Sequence, residues 1–186
     1  MTSKVEIREK ELKDLSVIFA NWIGANSAVS DDWLNSINTY YNIELTRSET
    51  LHLFTLIMCM LIDLTISRLG GLIEPKEKVI LEKNIIEHIA YIQSLLNTGI
   101  NKDARQEARD VFENSLYELL EVYRNDRLQQ NVTIPEIDLA YLFNASEGQK
   151  LPERVCVDYI NHFINTFEKR DFRKQINEFL NKLSAK

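Results

Sequence analysis

The stretch from Leu51 to Leu72 constrains this chain more than any other. Between Leu53 and Ile62 one hydroxyl, Thr55, stands among nine apolar residues, while His52 and Asp63 bracket the run and Arg68 follows it. A helix that spans a bilayer needs about twenty predominantly apolar residues, and shorter runs are more often helices buried in a soluble core. The segment reads as too short and too interrupted to span. It reads instead as a central helix, apolar on nearly every side, around which other helices pack.

Composition agrees with a helical, globular chain. The 186 residues are 45% hydrophobic and 27% charged, ordinary values for a folded domain. Only five glycines and three prolines are present, so few residues resist a helical interior. The expectation is an all-α fold: a single compact domain over residues 1–186, with about seven helices around a central apolar helical hairpin. A chain of this length can bury a self-sufficient core.

The apolar spacing places the helices. Val5, Leu12, Leu15, Phe19 and Trp22 form one stripe over about Lys4 to Ile23, with a loop expected from Gly24 to Ser30. Ser30, Asp31 and Asp32 open a short helix with Trp33, Ile37, Tyr40 and Tyr41 inside. Thr46 and Glu49 make a capping-box pair at the head of the central helix, and Gly70-Gly71 ends it. Pro75 then starts a helix to about Asn97, apolar at Val79, Ile80, Ile85, Ile86, Ile89, Ile92 and Leu96. Its short connection predicts an antiparallel hairpin with the central helix. Asn101 caps the next helix, lined by Ala108, Phe112, Leu116, Leu119 and Tyr123. Two more are expected, from Thr133 to about Asn144 and from Pro152 onward, the latter broken near Asp171.

Net charge is −6, which speaks against general nucleic-acid binding, since that needs clustered Lys and Arg. The charge is also uneven. Asp31, Asp32, Glu44 and Glu49 outweigh Arg47, and Glu136, Asp138, Glu147, Glu153 and Asp158 outweigh Lys150 and Arg154. The tail after Asp158 is basic, with Lys169, Arg170, Arg173, Lys174, Lys182 and Lys186 against Glu168, Asp171 and Glu178. Cys59 and Cys156 are too few for a disulfide framework and fit a reducing compartment. Met1 to Asp14 interleaves Lys and Glu with no signal-like apolar run. The expected location is the cytoplasm, with no membrane partner.

Candidate sites are sparse. Glu49 and His52 match an E-x-x-H spacing, but a di-iron helix bundle needs a second such pair. With three histidines and no C-x-x-C, no metal and no cofactor are expected. His52, Thr55, Cys59, Asp63 and Ser67 fall at three- and four-residue steps, a polar seam along the central helix. The seam either bonds a neighbouring helix or lines a groove for a ligand or partner. Ile137 to Phe143 is more apolar than one inner face requires, so the segment either plugs its own core or is partly a recognition surface.

Arg47 and His52, four residues between them, resemble the R-x4-H pattern of HEPN domains, small all-α proteins that are often metal-independent ribonucleases with sites at a dimer interface. The resemblance covers six residues, and Ser48 stands where that family usually has another polar residue. It implies a ribonuclease using Arg47 and His52. On an ideal helix the two lie about 140° apart.

The leading expectation is a non-enzymatic protein-binding domain, an inhibitor or immunity-type protein that docks on a toxin with a basic, nuclease-like surface. Acidic inhibitors suit such targets because opposite fields speed encounter. Glu136 and Asp138 would steer, and Tyr141 and Phe143 would anchor. High Asn, Ile and Lys usage associates the gene with an AT-rich, bacterial source. The alternatives are the HEPN-like ribonuclease and a helical regulatory or adaptor domain that forms a homodimer.

Overall fold

A computed structural model describes residues 4–27, 35, 38–69, 73–96 and 102–130, with isolated positions at 154, 178 and 181. Four long helices follow in order: α1 (Lys4–Ser27), α2 (Arg47–Arg68), α3 (Pro75–Leu96) and α4 (Lys102–Gln130). A single helical turn over 38–41 precedes α2, and no strand occurs among the described residues. The fold is all-α. The helices expected over 133–144 and after Pro152 lie outside the described residues, so these five segments stand in place of the seven expected.

Local chemistry explains most boundaries. Asn42 closes the turn at 38–41 with a left-handed φ of 52°, a conformation asparagine adopts more readily than most residues. Its N–H donates to Asn38 O at 2.9 Å. The capping box of α2 forms as expected: the Glu49 N–H donates to Thr46 Oγ1 at 3.2 Å, and the Thr46 N–H donates to Glu49 Oε2 at 2.7 Å. Hydrogen bonding from the Thr46 side chain, then from its backbone, holds the Glu49 carboxyl below its ordinary range. Pro75 is the first residue of α3, and the Glu74 N–H just ahead donates to Glu77 Oε2 at 2.8 Å. The expected loop at Gly24 is corrected, because α1 continues to Ser27. A Cβ on Gly24 would meet nothing within 4 Å, so this glycine is a helix residue at a tolerable cost of about 1 kcal/mol rather than a stop.

One hydrophobic cluster joins all four helices. Leu15, Phe19 and Ile23 enter from α1, Leu81, Ile85, Ile86 and Ile89 from α3, and Leu116, Leu120 and Tyr123 from α4. In α2, Leu53 and every residue from Leu56 to Ile62 are buried. Seven consecutive buried residues go nearly twice around a helix, as the apolar run demands. Leu64 and Phe112, also expected inside, pack partly buried against the same cluster. By length and composition Arg47–Ser67 could cross a bilayer, which corrects the reading that it is too short. Most of it is nevertheless enclosed by protein.

The central hairpin is also corrected. α3 packs chiefly on α1 and α4, while α2 packs on α4 and α1, and α2 and α3 meet only slightly. The two most apolar helices thus sit diagonally, each buried between α1 and α4. Diagonal placement lets both wide apolar arcs meet two partners instead of one. Three residues expected inside are exposed: Tyr40 at 80%, Val79 at 68% and Ile80 at 41%. Val79 and Ile80 lie in the opening turns of α3, where the buried stripe begins only with Leu81. Trp33 and Ile37 lie outside the described residues.

Candidate functional site

The polar seam of α2 faces α4 and divides into two halves. In the lower half Cys59 and Asp63 are each bonded by the neighbouring helix α4. The Cys59 thiol donates to the Leu116 carbonyl at 3.9 Å, and burial pushes it up to about 12. Such a thiol is a small core residue rather than a nucleophile. Below it, Arg124 Nε donates to Asp63 Oδ1 at 2.8 Å, while Nη1 and Nη2 donate to Glu82 at 3.1 and 2.6 Å. One guanidinium from α4 therefore binds a carboxylate on α2 and another on α3. Partial burial opposes its charge, but the bonds to Glu82 and Asp63 more than offset this and hold Arg124 above its ordinary range. Ser67, at the end of the seam, is exposed.

The upper half opens into a solvent-facing groove of about 500 Å³. From α2 it is lined by Ser48, Leu51, His52 and Thr55, and from α4 by Ser115, Glu118, Leu119 and Val122. Leu51 is 60% exposed and Val122 52%, so the rim presents apolar surface to water. Two lining hydroxyls are turned back on their own helices: Thr55 Oγ1 donates to Leu51 O, and Ser115 Oγ donates to Val111 O, each at 2.9 Å. Such bonds to the carbonyl one turn back use the hydroxyl hydrogen and leave its lone pairs outward. With Glu118 beside them and no Lys or Arg in the lining, Thr55 and Ser115 make an acceptor face, while Ser48 and His52 complete the polar part of the groove.

The other candidates separate in the same way. Glu49 commits its carboxylate to the Thr46 N–H in the capping box. Arg47, exposed, opens α2, and His52, partly buried, lines the groove one and a half turns on. Because α2 is continuous between them, the two leave the axis about 140° apart. Glu136, Asp138, Tyr141 and Phe143 lie outside the described residues, as do Cys156 and His162.

No family model, curated protein or solved structure matches this chain. Its own residues carry the functional argument.

Sequence reading finds the α2 wall of this groove but misses the α4 wall. The signal was present at Val111, Ser115, Glu118 and Val122, whose four- and three-residue steps mark a second, mixed stripe beside the core stripe of α4. It also misses the Arg124 clamp. Asp63 interrupts the apolar run of α2, Glu82 sits between the core residues Leu81 and Ile85 of α3, and Arg124 follows the core residue Tyr123. Isolated opposite charges on faces that must be buried tend to be one another's partners.

Proposed function

We propose that this chain is a non-enzymatic binding domain, an inhibitor or immunity-type protein that docks on a basic, nuclease-like toxin and neutralises it in a bacterial cytoplasm. The observation that carries the reading is the groove between α2 and α4, where exposed Leu51 and Val122 flank the Glu118 carboxylate. Apolar rim residues beside an exposed carboxylate suit docking better than a closed core. The net charge of −6 favours a basic partner by long-range attraction. Glu136, Asp138, Tyr141 and Phe143, in the first of two further helices expected from the sequence in a seven-helix domain, are proposed to take part in docking as well.

A photo-crosslinking amino acid placed at Val122, at Tyr141 or at Val79 in the source cell tests it. Capture of one basic protein from Val122 and Tyr141, but not from Val79 on the far helix α3, supports docking through the proposed surface. A crosslinked second copy of the chain replaces it with a homodimeric adaptor. RNA cleavage by the purified protein that vanishes in Arg47→Ala and His52→Ala replaces it with a HEPN-like ribonuclease.

A further inference from the structure

We infer that the groove between α2 and α4 is a socket for a lysine or arginine side chain of the docking partner. This deepens the docking reading and rests on it. The polarity of the lining favours a cation. Thr55 and Ser115 donate their hydroxyl hydrogens to Leu51 O and Val111 O at 2.9 Å, and an ionised Glu118 can only accept. A group that only donates matches them, and the ammonium of lysine and the guanidinium of arginine are the side chains with several donors and no acceptor. A phosphate or carboxylate would face the Glu118 carboxylate with no Lys or Arg in the lining to hold it, only Ser48 and His52 being able to donate there.

The local field acts in the same direction. Between Arg109 and Arg124, α4 carries Asp110, Glu113, Glu118 and Glu121 and no basic residue. Glu118 and Glu121 are both exposed on this helix, so a cation is drawn to the groove from outside. The apolar wall suits the stem of such a side chain. Leu51, Leu119 and Val122 supply surface for the aliphatic stem of a long basic side chain, which buries its methylenes while its head stays polar. A bare ammonium ion would leave that wall unused. At about 500 Å³ the groove also has room for apolar neighbours of the basic residue on the partner.

The test is a titration of the full-length, isotope-labelled protein followed by amide NMR signals. The probe is a short helical peptide with one central arginine flanked by leucines, compared with peptides carrying citrulline or glutamate at that place. The arginine peptide should move the signals of Thr55, Ser115 and Leu119, the citrulline peptide should bind about fivefold more weakly, and the glutamate peptide should not bind. Glu118→Gln should cost the arginine peptide the same fivefold and leave the melting temperature unchanged. Equal binding of arginine and citrulline peptides, no binding of either, or shifts confined to other surfaces would overturn the inference. So would movement of the groove signals without peptide, either on dilution (a second copy in the groove) or on reversing Lys169, Arg170, Arg173 and Lys174 to Glu (the chain's own tail). Crosslinking from Val122 to a partner with no arginine preference in the titration removes the socket and keeps docking. An arginine preference with no partner crosslinked removes docking and keeps the cation-selective groove.

Discussion

Arg124 on α4 donates to Asp63 on α2 across a span of 61 residues, at 2.8 Å. The same guanidinium takes Glu82 of α3 in a two-pronged bond. Three helices are thereby held in one rotational register at a point where apolar packing alone would tolerate slippage. The pair sits one turn below Cys59, so the same register also fixes the groove above it.

Removing Arg124 leaves two carboxylates close together with little water around them. Asp63 and Glu82 side chains are only 12% and 19% exposed, against 34% for Arg124. Breaking a fully buried pair costs about 3–5 kcal/mol and an exposed one under about 1. Arg124→Ala should therefore cost about 1–3 kcal/mol in urea denaturation. In the background of Arg124→Met with Glu82→Gln, Asp63→Asn should recover stability instead of losing it, because the orphaned charge is what destabilises. If Asp63→Asn is equally costly in both backgrounds, the clamp contributes nothing through pairing.

Alkaline pH should loosen the fold through two groups. Burial raises the Cys59 thiol from 9.0 to about 12, and burial, with Glu113, Glu87 and Glu82 nearby, raises Tyr117 from 10.0 to about 12. In each case the unfolded chain ionises first, so the stability they permit is fully present below pH 9 and is lost between pH 9 and 12. Cys59→Ala should move the onset of that loss upward by about one pH unit, toward the Tyr117 range, in thermal melts scanned across pH. The same burial predicts that a thiol reagent labels native Cys59 slowly and labels it fast after unfolding. Rapid native labelling would mean that α2 opens on its α4 side.

Helix packing separates Ile57 from Val79. Ile57 is fully buried in the shared core and Val79 is not. Ile57→Ala should cost about 2–5 kcal/mol, whereas Val79→Ala should stay within about 0.5 kcal/mol of the parent. Denaturation midpoints at constant m-value report both. A costly Val79→Ala would return that residue to the core stripe from which its spacing first suggested it belonged.

That contrast also locates where the fold was legible in the sequence. The helix heads were readable because caps are local chemistry: Thr46, Glu49 and Pro75 act within one turn of themselves. The burial of Leu53 and of Leu56 to Ile62 was readable because no amphipathic choice exists in an all-apolar run. The hairpin was misread because sequence adjacency and two wide apolar arcs do not say which helices pair, and here α1 and α4 lie between α2 and α3. Gly24 was misread as a stop since a glycine with open space around it signals nothing about the chain beyond it. The groove was half legible: one wall belongs to the α2 seam, while the other depends on which face α4 turns toward it, a tertiary fact.

Docking through this surface would divide between steering by charges and anchoring by apolar side chains. Glu118 and Glu121 are exposed on α4, and Glu136 and Asp138 are proposed to steer the same partner. Exposed charges at a rim change the association rate more than the dissociation rate, and salt screens their effect with a Debye length of about 8 Å at physiological strength. Against the partner captured through Val122, reversing Glu118 and Glu121, or Glu136 and Asp138, to Lys should slow association at low salt by about tenfold. The difference from the parent should shrink steadily as salt rises. Tyr141→Ala and Val122→Asp should instead speed dissociation with little effect on association, since apolar anchors act only after contact. Val122 is half exposed, so its replacement should leave the melting temperature in place. If Tyr141→Ala lowers the melting temperature and the reversals at 136 and 138 leave both rates alone, Tyr141 serves the protein's own core and docking falls to the α2–α4 groove. If the Glu118 and Glu121 reversals are also silent at low salt, electrostatic steering is absent and the basic-partner reading fails with it.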